Sequence, residues 1–230
     1  MFSFSIHLAL HIPDGYLSLP VSLVTKAIAI TFVALSLNRV QSEYKERTVP
    51  LMGVCAAFIF AAQMVNFPIV GGTSGHLMGG TLAAILLGPW AGSLVMAVVF
   101  IVQTVMFQDG GLTALGANIT IMGLIGTFGG YYLYRLVRSL VGRNTWLGMS
   151  VATAIASWTS VVAAAFVCAM LLAWSDTIPL AVGMTAMLSW HLIIGIGEAF
   201  ITLAVISFIW RTRPDLIYGA LRSNPNEEKA

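Results

Sequence analysis

An all-α polytopic membrane protein is the fold class this sequence predicts, on three observations. Of its 230 residues 58% are hydrophobic and only 9% charged, well under the roughly 25% charge of a soluble domain, and mean hydropathy is +0.91. The apolar residues fall in runs close to the 20 or so that a helix needs to span a bilayer. Turn residues and basic clusters punctuate those runs where such helices would leave the membrane.

The first run covers residues 17–37 and ends in a charged loop from Arg39 to Arg47, with Pro50 restarting the chain. The second covers 51–67. Residues 68–76, rich in glycine, read as a loop. From Leu77 to Phe107 the chain is apolar apart from Gly88-Pro89. Proline fits poorly inside a helix, so this stretch is one kinked helix or two spans. Asp109-Gly110-Gly111 ends it. The next helix covers 115–134 and closes on Arg135, Arg138 and Arg143. Another covers 146–174, Ser175 to Pro179 turn the chain, and the last span covers 180–210.

Basic residues mark cytoplasmic loops. Seven transmembrane helices, with the N-terminus outside and the C-terminus cytoplasmic, put Arg39, Lys45, Arg47, Arg135, Arg138, Arg143, Arg211, Arg213, Arg222 and Lys229 all inside. Only Lys26, within the first span, is left over. Six spans would set the first cluster opposite the others. The expected organisation is an N-terminal extension over residues 1–9, a seven-helix membrane domain over 10–213 and a polar cytoplasmic tail over 214–230. His11, His76, Asp109 and Asp176 then share the external face.

Composition also narrows function. Cys55 and Cys168 lie inside apolar runs, which argues for buried thiols and against a disulfide or thiolate metal site. No basic patch is interleaved with aromatics, so nucleic acid is not an expected partner. No nucleotide-binding motif is present, so any use of ATP falls to other subunits.

The strongest chemical signal is a pair of histidines beside turn segments at one face. His11 lies in His11-Ile12-Pro13-Asp14-Gly15-Tyr16, and His76 closes Gly71-Gly72-Thr73-Ser74-Gly75-His76. Imidazole suits nickel, cobalt, zinc and copper, and planar nitrogen coordination points to nickel(II) or copper(II). A chain whose second residue is histidine can close adjacent chelate rings through its terminal amine, the histidine amide nitrogen and the imidazole. His76 could supply the fourth nitrogen, with the glycines up to Gly75 letting the backbone approach. Taken singly, an interfacial histidine can be only a headgroup-level polar residue, and a Gly-rich stretch only a turn. Asp14 and Asp109 are the only acids nearby, which argues against a calcium or magnesium cage.

Two ionisable residues fall inside the last span. His191 and Glu198 are seven apart on one helical face. Intramembrane ionisable groups are costly. These two read as organisers of the bundle beneath the site, paired with polar groups such as Gln63, Asn66, Gln103 or Asn118. Ala57 and Ala61, one turn apart, form a small-residue face that suits close packing, within the chain or against another subunit.

At these motifs the chain resembles the CbiM/NikM family, the metal-binding membrane subunits of energy-coupling-factor (ECF) transporters for cobalt and nickel. The resemblance rests on His11 to Leu17, on Gln63 to Pro68 continuing through Gly71–His76 to Leu87–Gly92, on Gln108 to Asn118, and on His191 to Ala199. It covers residues 10 to 210, in order. It implies a seven-helix fold with the N-terminal segment tucked into the bundle from outside, and transported Co(II) or Ni(II) without a permanently bound cofactor. The implied ligands are a terminal amine, the amide and ring of His11, and His76, with Asp14, Gly75, Asn118, His191 and Glu198 in support.

The implied partners are a coupling transmembrane subunit docked on faces such as that of Ala57 and Ala61, paired ATPases that hydrolyse the ATP, and a small accessory membrane subunit. The implied location is a bacterial or archaeal cell membrane. Cobalt uptake would serve cobalamin biosynthesis.

One departure bears on the ligand set. Leu10 stands where the family pattern has an initiating methionine. The expectation is that translation starts at the codon written as Leu10, or that processing after Ala9 frees its amine. Two readings from other classes remain open at this point: a b-type haem protein ligated by His76 and His191, and a structural membrane subunit. A metalloprotease lacks support, because His191 is followed by Leu192 and Ile193 and not by the HExxH pattern.

Overall fold

The computed structural model describes residues 10–44, 48–65, 67–69 and 73–219. Residues 1–9, Lys45, Arg47, Asn66, Gly71, Gly72, Arg222 and Lys229 lie outside the described residues. Helices dominate: α1 (Leu19–Glu43), α2 (Thr48–Met64), α3 (Gly80–Phe107), α4 (Leu115–Asn118) running through a π-helical stretch (Ile119–Gly129) into α5 (Gly130–Val141), α6 (Trp146–Trp174) and α7 (Leu180–Thr212). Between α2 and α3 lies a short antiparallel ladder, β1 (Phe67–Ile69) with β2 (Thr73–Gly75), in which Phe67 faces Gly75. The sequence predicts a loop over this segment, and the structure forms a ladder there instead. Three-residue strands at a Gly-rich turn leave too little alternation to be recognised.

Among the described residues four helices are long and apolar enough to cross a bilayer: α1, α3, α6 and α7. Length alone misrepresents α3. Its 28 residues are broken at Gly88, where φ is 81° and ψ 162°, a conformation open essentially to glycine alone. A Cβ on Gly92 would sit 3.1 Å from the backbone of Ala83 and Ala84. In a straight helix residues 83 and 92 would be about 13 Å apart along the axis. The stretch is therefore a tight hairpin of two arms, 80–87 and 89–107, and not one kinked rod.

The break frees backbone carbonyls, and neighbours take them up. The Tyr44 hydroxyl, just past α1, donates to Leu87 O at 2.9 Å. The Tyr218 N–H, beyond α7, donates to Ile85 O at 3.0 Å, while its ring lies against Tyr44 and Tyr131. Residues 214–219 thus begin the C-terminal segment by packing on the bundle, with Ile217 buried.

The two ends of the bundle differ. One gathers residues 10–18, 108–114 and 175–178 around His76. The other gathers Gly88, the tyrosines and the basic residues, with Arg39 over Trp90, Arg138 over Trp210 and Arg211 over Trp146.

Candidate metal site

The site is assembled from the outset of the described chain. Residues 10–12 lie buried in the bundle, and one amide side chain pins them there. Asn118, on α4, accepts from the Ile12 N–H at 2.9 Å and donates to the Ile12 carbonyl at 3.2 Å. The same carbonyl accepts from the Gly111 N–H at 2.9 Å. A side chain at Gly111 is sterically excluded, since its Cβ would fall 2.3 Å from the Asp14 nitrogen. Asp14 completes the anchor by accepting from the Thr113 N–H at 2.7 Å and from the Thr113 hydroxyl. Those two bonds hold the Asp14 carboxyl below its ordinary range. The Thr177 hydroxyl donates to Tyr16 O, tying the same segment to the α6–α7 turn.

This anchoring delivers His11 to His76. Their rings meet edge to face with centroids 4.7 Å apart, and Phe100 from the long arm of α3 contacts the His11 ring at 5.6 Å. Both imidazoles are buried. His11 Nδ1 lies 3.1 Å from Asp109 Oδ1, yet both ring nitrogens lack an aligned hydrogen bond. Contact with His11 holds the Asp109 carboxyl below its usual range, against the opposing effect of burial.

His76 Nδ1 lies 2.9 Å from Leu77 O. A carbonyl partner requires Nδ1–H, which leaves the lone pair on Nε2. Burial, then the nearby His11, push His76 down to about 4, so its ring is neutral at pH 7. Two buried, close imidazoles with nitrogens to spare are a donor set for a borderline-soft cation.

Of the residues singled out in the sequence, Leu10, His11, His76 and Asn118 come together, with Asp14 at the rim. Gly75 ends β2 immediately before His76. Glu198 reaches the same region by an unexpected route. Its carboxylate accepts from the Met78 N–H at 2.6 Å and the Gly79 N–H at 2.9 Å, and pairs with none of the described side chains suggested for it. His191 bonds to Met187 O in its own helix.

The side chain that does meet Gln63 is Gln103, whose Nε2 donates to Gln63 Oε1 at 2.7 Å. Ala57 and Ala61 lie on an exposed face of α2. Sequence reasoning named Asp109 only as a neighbour at this face. Its contact with His11 depends on how the Asn118 anchor places residues 10–12, and no spacing rule encodes that.

Known proteins resemble this chain along most of its length. Residues 11–216 match the family described as the cobalt uptake substrate-specific transmembrane region, CbiM. An Archaeoglobus fulgidus protein with a nickel-transport name is 41% identical over 210 residues, covering 90% of this chain and 68% of that protein. The cobalt transport protein CbiM of Sorangium cellulosum is 32% identical over 213 residues, covering 90% and 94%. A crystal structure of a transition metal transporter superposes with a TM-score of 0.81 at 32% identity, covering 96% of this chain and all of that one. With nine-tenths of its length matched and paired histidines buried at one end of an apolar bundle, the chain belongs to the CbiM family of cobalt-uptake substrate-specific membrane proteins.

Proposed function

We propose that this chain is the substrate-capturing membrane subunit of an ECF-type importer, binding Co(II) or Ni(II) at the external face through His11 and His76. The observation that carries the reading is the 4.7 Å contact between two buried imidazoles whose nitrogens are not all engaged. Among the described residues no three His, Cys, Asp or Glu side chains converge as a metal cage. A complete site therefore takes donors from the backbone: the His11 amide nitrogen and the amine that residue 10 presents once it is the first residue. The His11 amide and its Nδ1 close a chelate ring, and the His76 ring completes a plane of four nitrogens, which suits nickel(II) and also cobalt(II) if the protein imposes the plane. Asp109, beside Nδ1, would balance part of the cation's charge.

Seven helical passes, with the histidines outside and the basic, aromatic end in the cytoplasm, follow the bias of basic residues. The Arg–Trp pairs at the Gly88 end favour that orientation. The exposed Gly53, Ala57 and Ala61 of α2 offer a close-packing face to a coupling subunit. Partner ATPases supply the energy, and this chain makes and breaks no covalent bond. The cell membrane of a bacterium or archaeon is the expected location.

Metal affinity and stoichiometry of the detergent-purified protein test the reading. Chains that begin with methionine in place of Leu10 should bind one Ni(II) or Co(II) tightly, and chains that begin at Met1 should not. Equal binding by both, and by His11→Ala and His76→Ala, would overturn it.

A further inference from the structure

Between His76 and the first turn of α3 the backbone N–H groups have no helical partners, and the segment runs through the packed interior. Gly79, at the start of α3, sits at φ 77° with no cap from its own helix. Buried backbone polar groups are tolerated only where other protein groups satisfy them. Here those groups come from two distant helices. Glu198 of α7 takes the Met78 and Gly79 N–H groups, one on each carboxylate oxygen, at 2.6 and 2.9 Å. Gln63 of α2 donates to the Met78 carbonyl at 2.7 Å. The Met78 peptide is thus gripped from opposite sides, two residues from His76.

The grip extends to the other histidine. Gln103 holds Gln63 in orientation through its 2.7 Å bond, and the Gln103 backbone carbonyl accepts from the Asp109 N–H at 3.1 Å. Asp109 is the residue beside His11. Glu198, Gln63 and Gln103 are all almost fully buried, so water does not stand in for any of them.

We propose that Glu198, acting with Gln63, is a positioning residue for metal capture: the two hold the Met78 peptide and thereby fix where His76 presents its ring. The proposal rests on the metal-site reading above. A carboxylate suits the task because it offers two acceptor oxygens and no donor. Glutamine at 198 would turn an amide N–H against a backbone N–H, and alanine would leave both backbone donors buried and unpaired. Neither change touches a ligand. Groups that orient metal ligands alter affinity by about 10- to 100-fold when removed.

The test uses the full membrane protein beginning with methionine at position 10, purified in detergent and titrated with Ni(II). Affinity, the visible d–d absorption of the bound ion and the melting temperature are read on each sample. Glu198→Gln should weaken Ni(II) binding by about 10- to 100-fold and shift the absorption band. Should that variant not accumulate, Glu198→Asp and Gln63→Asn keep the chemistry on a stem one methylene shorter, and should weaken binding and move the band in the same sense. Unchanged affinity and spectrum in these variants, even with a lower melting temperature, would mean that Glu198 only caps α3, and would overturn the proposal. Failure of the unsubstituted protein to bind Ni(II) or Co(II) would sink the underlying site reading together with it, a distinguishable result.

Discussion

At the His76 end of the α3 hairpin, open backbone is taken up by a carboxylate and an amide, Glu198 and Gln63. At the Gly88 end, it is taken up by the Tyr44 hydroxyl and the Tyr218 N–H, with the Tyr44 and Tyr218 rings stacked and Tyr131 edge-on to Tyr218. Both ends face the same difficulty, a helix interrupted inside an apolar bundle, and they meet it with different chemistry. The first end carries carboxyl groups and leaves the His11 ring nitrogens without an aligned hydrogen bond. At the second, the groups that take up the backbone are uncharged and the space is sterically filled: a Cβ on Gly88 would fall 2.7 Å from the Tyr218 ring. On the proposed reading ion capture falls to the first end and closure to the second, so changes at each end should move different observables.

The largest effect is expected at the ligands. His11→Ala and His76→Ala should each lower Ni(II) or Co(II) affinity by on the order of 100-fold or more, beyond what loss of a supporting residue causes, with little change in melting temperature. Titration of the purified variants checks this. Asn118→Ala comes next, because it removes both bonds that seat Ile12. It should weaken metal binding by about 10- to 100-fold through His11, measured in the same way.

The Gly88 end should behave in the opposite sense. Gly88→Ala forces a side chain into a conformation that costs about 1–3 kcal/mol, and should lower thermal stability while the folded fraction binds metal normally. Tyr44→Phe, which leaves the Leu87 carbonyl without its donor, should cost about 1–3 kcal/mol, read as a smaller fall in melting temperature. Metal affinity that follows stability at this end would break the division.

A separate effect, read without metal, concerns pH. His76 is held down from its ordinary 6.5 to about 4, so the unfolded chain binds this proton more readily than the folded one. Its contribution to stability is present above about 6.5 and is lost as the pH falls from there towards 4. Thermal melts of the protein without added metal should show a decline over that window, absent from His76→Ala. Metal binding at neutral pH should release protons from backbone nitrogens and not from the already neutral His76 ring, and calorimetry in buffers of different ionisation enthalpy reads that release.

Much of this architecture is legible along the chain. Apolar run lengths locate the helices, Gly88-Pro89 marks the hairpin turn, and His11 and His76 stand out because each adjoins turn residues at a span boundary. What spacing cannot supply is the partner. The seven-residue interval between His191 and Glu198 puts them on one face, but it does not say that Glu198 reaches the backbone of residues 78 and 79 from 120 positions away. The two buried glutamines were visible as polar residues in apolar helices, while their pairing with each other depends on how α2 meets α3. The polar composition after Arg213 likewise hides Ile217 and Tyr218, whose packing is set by the carbonyls that the Gly88 break exposes.

X-ray absorption spectroscopy of the nickel-loaded protein, prepared with methionine at position 10 as its first residue, tests the central claim most directly. The account predicts a shell of four nitrogen donors in a plane, no sulfur, and multiple scattering from two imidazoles. A six-coordinate oxygen-rich shell with one imidazole or none would contradict it.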